Sequence, residues 1–151
     1  MQTNQLVLAG AVSWAHPAWQ GGFYPDGLPD DWLLPYYNTQ FQAVYLPGQI
    51  WQGISSTTWK QWLEDTQPGF YFVLEPAQET TAKPASERVL LATPEWTAAH
   101  VWWLDEVPDL RALAQRITQQ AATGEPLFVF SRSGDLALLR QVEALKQVMG
   151  Y

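Results

Sequence analysis

The chain has 151 residues, of which 47% are hydrophobic, and can therefore form one domain with a substantial core. Its formal net charge is -7, and no lysine or arginine precedes Lys60, so it lacks the basic surface that nucleic-acid binding requires. The absence of cysteine excludes disulfides and thiolate metal sites. Neither a secretion signal nor a bilayer-spanning apolar run of roughly 18 residues is found, and we expect a soluble, cytoplasmic protein without membrane contact.

Strands and helices alternate along the predicted order of elements. Short apolar runs bounded by turn residues predict strands; they lie at Leu6–Ala9, Phe41–Leu46, Phe70–Leu74, Val89–Ala92, Val101–Leu104 and Leu127–Phe130. Apolar residues at helical spacing behind capping residues predict helices; these begin after Asp30 or Asp31, after Ser55 to Thr58, after Asp109 and after Asp135. This alternation predicts one α/β domain over residues 1–151 with a mainly parallel sheet.

Two connections between the predicted elements differ from the rest in length or composition. The stretch from Glu75 to Arg88 is polar and has no apolar period, which indicates a long surface loop. The connection between Val89–Ala92 and Val101–Leu104 is shorter than the usual crossover between parallel neighbours. Those two strands therefore either pair antiparallel or are not adjacent in the sheet.

The most distinctive stretch runs from Leu6 to Pro29, where an apolar run leads into a loop rich in aromatic and small residues. Trp14, His16, Trp19 and Tyr24 are the residues of this loop best suited to contact a ligand. Nine tryptophans in one chain are unusual, and most of them should serve as core or interface mass because each indole buries a large area. The others are candidates for a stacking surface.

This stretch resembles the opening of the domain-of-unknown-function 72 family, the YecE-like barrel proteins. The matching positions are Gly10, Trp14, Pro17, Trp19, Gly22, Phe23, Tyr24, Pro25, Gly27, Leu28 and Pro29, followed by Tyr36, Tyr37, Phe41, Pro68 to Val73 and Leu110 to Phe130. The resemblance implies a TIM-like barrel, which in full takes about 250 residues. We therefore expect a reduced TIM-like barrel, or an open, mainly parallel sheet of about six strands flanked by helices. Such a sheet exposes an apolar edge that a homodimer would cover.

The chain departs from the family at the mouth, meaning the carboxyl ends of the strands and the residues that follow them, where barrel active sites are built. Polar family residues are replaced at each compared position, which are Ala11, Val12, Tyr45, Pro47, Glu75, Ala92, Thr93, Ser131 and Arg132. Aromatic residues of the fold persist while the family's polar mouth residues do not. The resemblance therefore implies a shortened, divergent member whose ancestral chemistry is lost.

Few residues remain as candidates for chemistry. His16 could act as a base or in a stacking pocket, but a packing role is the stronger interpretation, as it is for His100. Asp105 and Glu106 follow a strand and fit a solvated turn better than an acid–base pair. Glu75 and Arg132 could form an ion pair across the mouth. No motif for a cofactor, a metal or a serine nucleophile occurs.

We therefore expect a non-catalytic binding or interaction module that uses the aromatic-rich loop, with a small molecule or a protein as partner. Its candidate pocket residues are Trp14, His16, Trp19, Tyr24, Tyr45, Glu75, Asp105 and Arg132. The alternative is a hydrolase-type enzyme acting on a phosphorylated or sugar-like small molecule, with Glu75, Asp105 and Arg132 gathered in one cleft. Nucleic-acid processing would need a basic groove that the charge distribution hardly permits.

Overall fold

The computed structural model describes residues 6–77 and 83–151. A single sheet of six parallel strands organises these residues, and its strands are β1 (Val7–Val12), β2 (Ala43–Leu46), β3 (Tyr71–Leu74), β4 (Val89–Leu91), β5 (Val101–Trp103) and β6 (Leu127–Ser131). The strand order is β4-β3-β2-β1-β6-β5. The prediction of an α/β fold with about six mainly parallel strands is confirmed. Part of the predicted surface loop Glu75 to Arg88 lies outside the described residues.

The described residues form six α-helices that flank the sheet, namely α1 (Leu33–Gln40), α2 (Gly48–Trp51), α3 (Ser56–Asp65), α4 (Pro94–His100), α5 (Leu110–Thr123) and α6 (Leu136–Met149). Three of the four predicted caps form, because the side chains of Ser55, Asp109 and Asp135 accept hydrogen bonds from backbone amides of the first turns of α3, α5 and α6. The predicted cap at Asp30 or Asp31 is wrong, since both residues lie in a 3-10 turn before α1 and neither side chain caps that helix. Gly124 ends α5 in the left-handed conformation that favours glycine. None of the helices described is long and apolar enough to cross a membrane.

The strands β4 and β5 lie at opposite edges of the sheet. Of the two alternatives, non-adjacent strands are therefore correct. The connection between β4 and β5 contains helix α4, which the sequence analysis did not predict. The Thr93 side chain caps this helix by accepting from the Trp96 amide, and Pro94 occupies its first turn.

The sheet curls strongly about its inner face. Tyr45 on β2 and Trp103 on β5 lie three strands apart, yet their ring centroids are 5.0 Å from each other. Tyr71 on β3 similarly reaches Phe128 on β6 at 5.9 Å. Parallel strands are about 4.8 Å apart, so these contacts require a sheet bent into a half-barrel. The fold is thus consistent with a reduced TIM-like barrel.

The two faces of the half-barrel are packed differently. Helices cover the outer face, where alternate strand residues such as Val44, Phe72 and Val129 join the main core. The inner face is filled by the intervening side chains, namely Leu8, Ala43, Tyr45, Val73, Phe128 and Phe130. Helix α4 adds Trp96, whose ring lies 5.4 Å from that of Phe128. The interior is therefore packed apolar volume.

A tyrosine hydroxyl joins β1 to β2 at the centre of the sheet. The Ala11 amide donates to Tyr37 Oη at 2.8 Å, and that hydroxyl donates to the Ala43 carbonyl at 2.7 Å. A direct ladder bond would otherwise connect these two backbone groups. Gly10 fits beside them because a Cβ there would lie 1.8 Å from the Ala43 oxygen. The glycine and the tyrosine that match the family thus serve the same strand junction.

Candidate functional site

Trp19 and His16 attach the aromatic loop to the connection between β6 and α6. Trp19 is 2% exposed, and its indole Nε1 donates to the Gly134 carbonyl at 3.0 Å. The His16 ring lies against Trp19 with centroids 4.3 Å apart, and its Nε2 is 2.6 Å from the Val12 carbonyl, which requires that nitrogen to donate. Gly134 has φ +71°, and a Cβ there would approach both rings to about 3.0 Å. These contacts fix the loop in place.

Tyr24 is fully buried, and its hydroxyl donates to the Trp14 carbonyl at 2.5 Å. Burial raises the pKa of this phenol far above its ordinary value, so Tyr24 stays neutral. Trp14 itself is half-buried and meets Trp62 of α3 edge-to-face, with ring centroids 4.8 Å apart. Of the four candidate residues in the aromatic loop, Trp14 is the one that lines a described cavity.

That cavity, which we call the tryptophan groove, has a volume of about 950 Å³. It lies between the aromatic loop, the 3-10 turn Asp30–Trp32, α1 and α3. Trp14, Leu34 and Trp62 supply apolar surface, and Trp32 is 62% exposed beside them. Large exposed aromatic side chains beside a cavity are typical of binding surfaces.

Every charged residue that lines the tryptophan groove is acidic, and these are Asp30, Asp31 and Asp65. Trp32 and Trp62 are not among the ligand contacts that the sequence predicts. The sequence does carry a signal for Trp62, because Thr58, Trp62 and Asp65 share one face of α3 at three- and four-residue spacing. Trp59 and Leu63 follow the same spacing on a different face.

The mouth of the half-barrel holds a stack of three side chains. The Arg132 guanidinium lies 3.8 Å above the centre of the Trp103 ring, a cation–π contact, and the Tyr45 ring meets that indole edge-on. Tyr45 is only 7% exposed. Burial raises the pKa of the Tyr45 phenol, and the charge of Glu75 adds to the rise while that of Arg132 opposes it. The phenol therefore remains protonated near neutral pH.

The two carboxylates proposed for the mouth are engaged separately. Glu75 Oε1 accepts from the Gly48 amide at 2.8 Å, at the start of α2. Asp105 accepts from the Ser131 hydroxyl at 3.1 Å, from the Ser133 hydroxyl at 2.7 Å and from the Arg132 amide. Burial alone would raise the pKa of Asp105, but these hydrogen bonds outweigh it, and that pKa lies below its ordinary value.

The predicted ion pair between Glu75 and Arg132 does not form, because Arg132 Nε lies 3.6 Å from Glu106 instead. All three residues lie around the mouth, since the charges of Glu75 and Arg132 both act on Tyr45 and Asp105 accepts from the Arg132 amide. His100 packs on Trp96 and contacts Glu125 at 3.1 Å, in keeping with a packing role. Within residues 6–77 and 83–151, no group of three or more histidine, aspartate or glutamate side chains is placed to hold a metal ion.

Comparison with known proteins agrees with the resemblance of the opening stretch. The sequence pattern of the family described as protein of unknown function DUF72 matches residues 8–100, which is more than half of the chain. Among solved structures, a DUF72 family protein from Thermotoga maritima is similar, with 18% identity and a TM-score of 0.41. The similarity covers 93% of this chain and 52% of that one, so the chain spans about half of that protein's length. No curated protein matches. The chain belongs to the DUF72 family.

Proposed function

We propose that this protein is a non-catalytic binding module and that the tryptophan groove is its recognition site. The observation that carries the proposal is the exposed Trp32 beside a cavity of about 950 Å³ whose walls include Trp14 and Trp62. Aromatic side chains supply large contact area at low entropic cost and dominate binding energy at recognition surfaces.

The arrangement of the mouth supports the non-catalytic part of the proposal. A substrate bound there would have to displace Tyr45 and Arg132 from Trp103, which loses a cation–π contact and an aromatic contact. The Glu75 carboxylate accepts a hydrogen bond from the Gly48 amide, and the Asp105 carboxylate accepts one from the Ser133 hydroxyl. Both carboxylates are exposed at the mouth, but hydrogen bonds hold the pKa of Asp105 below its ordinary value, which disfavours the proton that a general acid must carry. We therefore place the hydrolase alternative second to the binding module.

A homodimer and a cytoplasmic location remain predictions. The dimer is supported by the two edge strands, β4 and β5, whose outer backbone groups have no neighbouring strand in the described sheet. Leu91 on β4 is 37% exposed and marks one edge as partly apolar. A second copy of the chain could cover these edges.

The test is a fragment panel monitored by the tryptophan indole signals of ¹⁵N-labelled protein. The panel contains neutral, cationic and anionic aromatic fragments, and single tryptophan-to-phenylalanine variants assign the indole signals. We expect at least one class of fragment to shift Trp14, Trp32 and Trp62 while leaving Trp103 unchanged. Shifts centred on Trp103 would place recognition at the mouth, and a panel without groove shifts would refute the proposal.

A further inference from the structure

We infer that the tryptophan groove receives an extended, basic segment of a partner protein, with two cationic side chains flanking apolar ones. This inference rests on the proposed function and names the class of partner. It is carried by three features of the groove: the sign of its charges, the separation of those charges along the groove, and the aromatic surface between them.

The first feature is the sign of the charges. Asp30, Asp31 and Asp65 line the groove, and no lysine or arginine does. Asp30 and Asp31 take part in none of the ion pairs formed within the described residues, and Asp65 accepts a hydrogen bond from Gln61 at 2.8 Å. Like charges at an interface exclude partners of the same sign and steer partners of the opposite sign. The groove therefore selects cations.

The second feature is the separation of the charges. Helices α1 and α3 each connect one parallel strand to the next, so they run side by side in the same direction. Asp30 and Asp31 precede α1 and Asp65 is the last residue of α3, so beside two parallel helices these carboxylates belong to opposite ends of the groove. The ten residues of α3 span about 13 Å, which we take as the separation of the two ends. The carbonyl end of the α3 dipole adds negative potential beside Asp65.

A distance of about 13 Å corresponds to four residues of extended chain at about 3.3 Å per residue. Two lysine or arginine side chains at positions i and i+4 would therefore reach both ends of the groove. Side chains alternate along an extended segment, so the residue at i+2 shares the face of the two cations and would contact Trp14 and Trp62. Trp32 is available to a neighbouring side chain at the rim. A cavity of about 950 Å³ suits such a segment better than a single small amine.

The test uses an acetylated and amidated heptapeptide, Ala-Lys-Leu-Val-Leu-Lys-Ala, and a matched peptide with glutamine in place of both lysines. Dissociation constants are measured from the groove indole shifts at low salt. Two exposed ion pairs of about 0.5 kcal/mol each correspond to roughly fivefold tighter binding of the lysine peptide. Raising the salt concentration should remove most of that difference, because exposed charges are screened.

Asp31→Asn and Asp65→Asn should each weaken binding of the lysine peptide about twofold to fivefold and leave the glutamine peptide unaffected. The matched control is Glu64→Gln, which removes a neighbouring carboxylate of α3 that lines a different cavity. Equal effects of Asp65→Asn and Glu64→Gln would overturn the placement of the charges. If a variant fails to fold, the salt titration of the two peptides on the wild-type protein tests the same inference.

The outcomes separate this inference from the proposed function. If both peptides shift the groove indoles with equal affinity at low salt, the groove is a binding site but does not select cations, and the inference fails alone. If fragments shift those indoles and the lysine peptide does not, the extended basic segment is refuted. If neither fragments nor peptides shift them, the proposed function fails as well.

Discussion

Replacing Tyr37 by phenylalanine tests the junction between β1 and β2. The change removes one oxygen and keeps the ring, which is fully buried against Trp19, Phe41 and Phe70. Two buried backbone groups, the Ala11 amide and the Ala43 carbonyl, would lose their partner. Each unsatisfied buried group costs about 1–3 kcal/mol, and the retained ring keeps the strands from closing the gap. We expect the free energy of unfolding to fall by about 3 kcal/mol.

The assay is urea unfolding followed by tryptophan fluorescence, with thermal unfolding as a second measurement. A loss of about 3 kcal/mol in a domain of this size lowers the melting temperature by roughly 6–12 °C. Tyr36→Phe is the matched control, since Tyr36 is half-buried on the same helix, and it should change stability by less than about 0.5 kcal/mol. A Tyr37→Phe variant within about 1 kcal/mol of the wild type would refute the bridging role.

Three further predictions concern other parts of the structure. Arg88 donates to the Leu63 carbonyl in α3 at 2.6 Å and to the Gln67 carbonyl just after α3 at 2.5 Å. In urea unfolding, Arg88→Leu should lower the free energy of unfolding by about 2–3 kcal/mol, and Arg88→Lys should lower it less. Asp105 has a lowered pKa when folded, so its stabilisation is present above about pH 4 and is lost as the pH falls through the folded value. The difference in melting temperature between wild type and Asp105→Asn should therefore shrink on acidification, and a constant difference would contradict this. Light scattering after size exclusion should show a dimer that Leu91→Lys dissociates, whereas a wild-type monomer would refute the edge-covering prediction.

Local signals were enough to predict the sheet and four of the helices. Ser55, Asp109 and Asp135 cap their helices through bonds to amides two or three residues away, and such contacts can be inferred from the sequence alone. Helix α4 is absent from the predicted elements although Thr93 and Pro94 form a start signal, because Thr93-Pro94 also reads as the end of the preceding strand. A connection that crosses from one edge of a curled sheet to the other does not need the length of a neighbouring crossover.

The candidate site could not be derived in the same way, because it depends on contacts between distant segments. The burial of Trp19 involves Gly134, 115 residues further along the chain, whose carbonyl accepts from its indole. Trp14, in the loop after β1, meets Trp62 of α3, 48 residues further along the chain. Sequence spacing assigned Trp62 to a helix, but only the packing of α3 against the aromatic loop makes it part of a groove.

The curl of the sheet explains why recognition would move from the mouth to the outer face. An eight-stranded barrel is just wide enough for side chains to fill its interior, and its mouth then carries the polar residues of a site. In this half-barrel Tyr45 and Trp103 close over the sheet from strands three apart, and Trp96 fills the space near Phe128. A polar ligand at this mouth would have to displace packed aromatic rings. The outer groove has apolar surface already exposed at Trp32, so binding there would bury an indole without first disrupting the core.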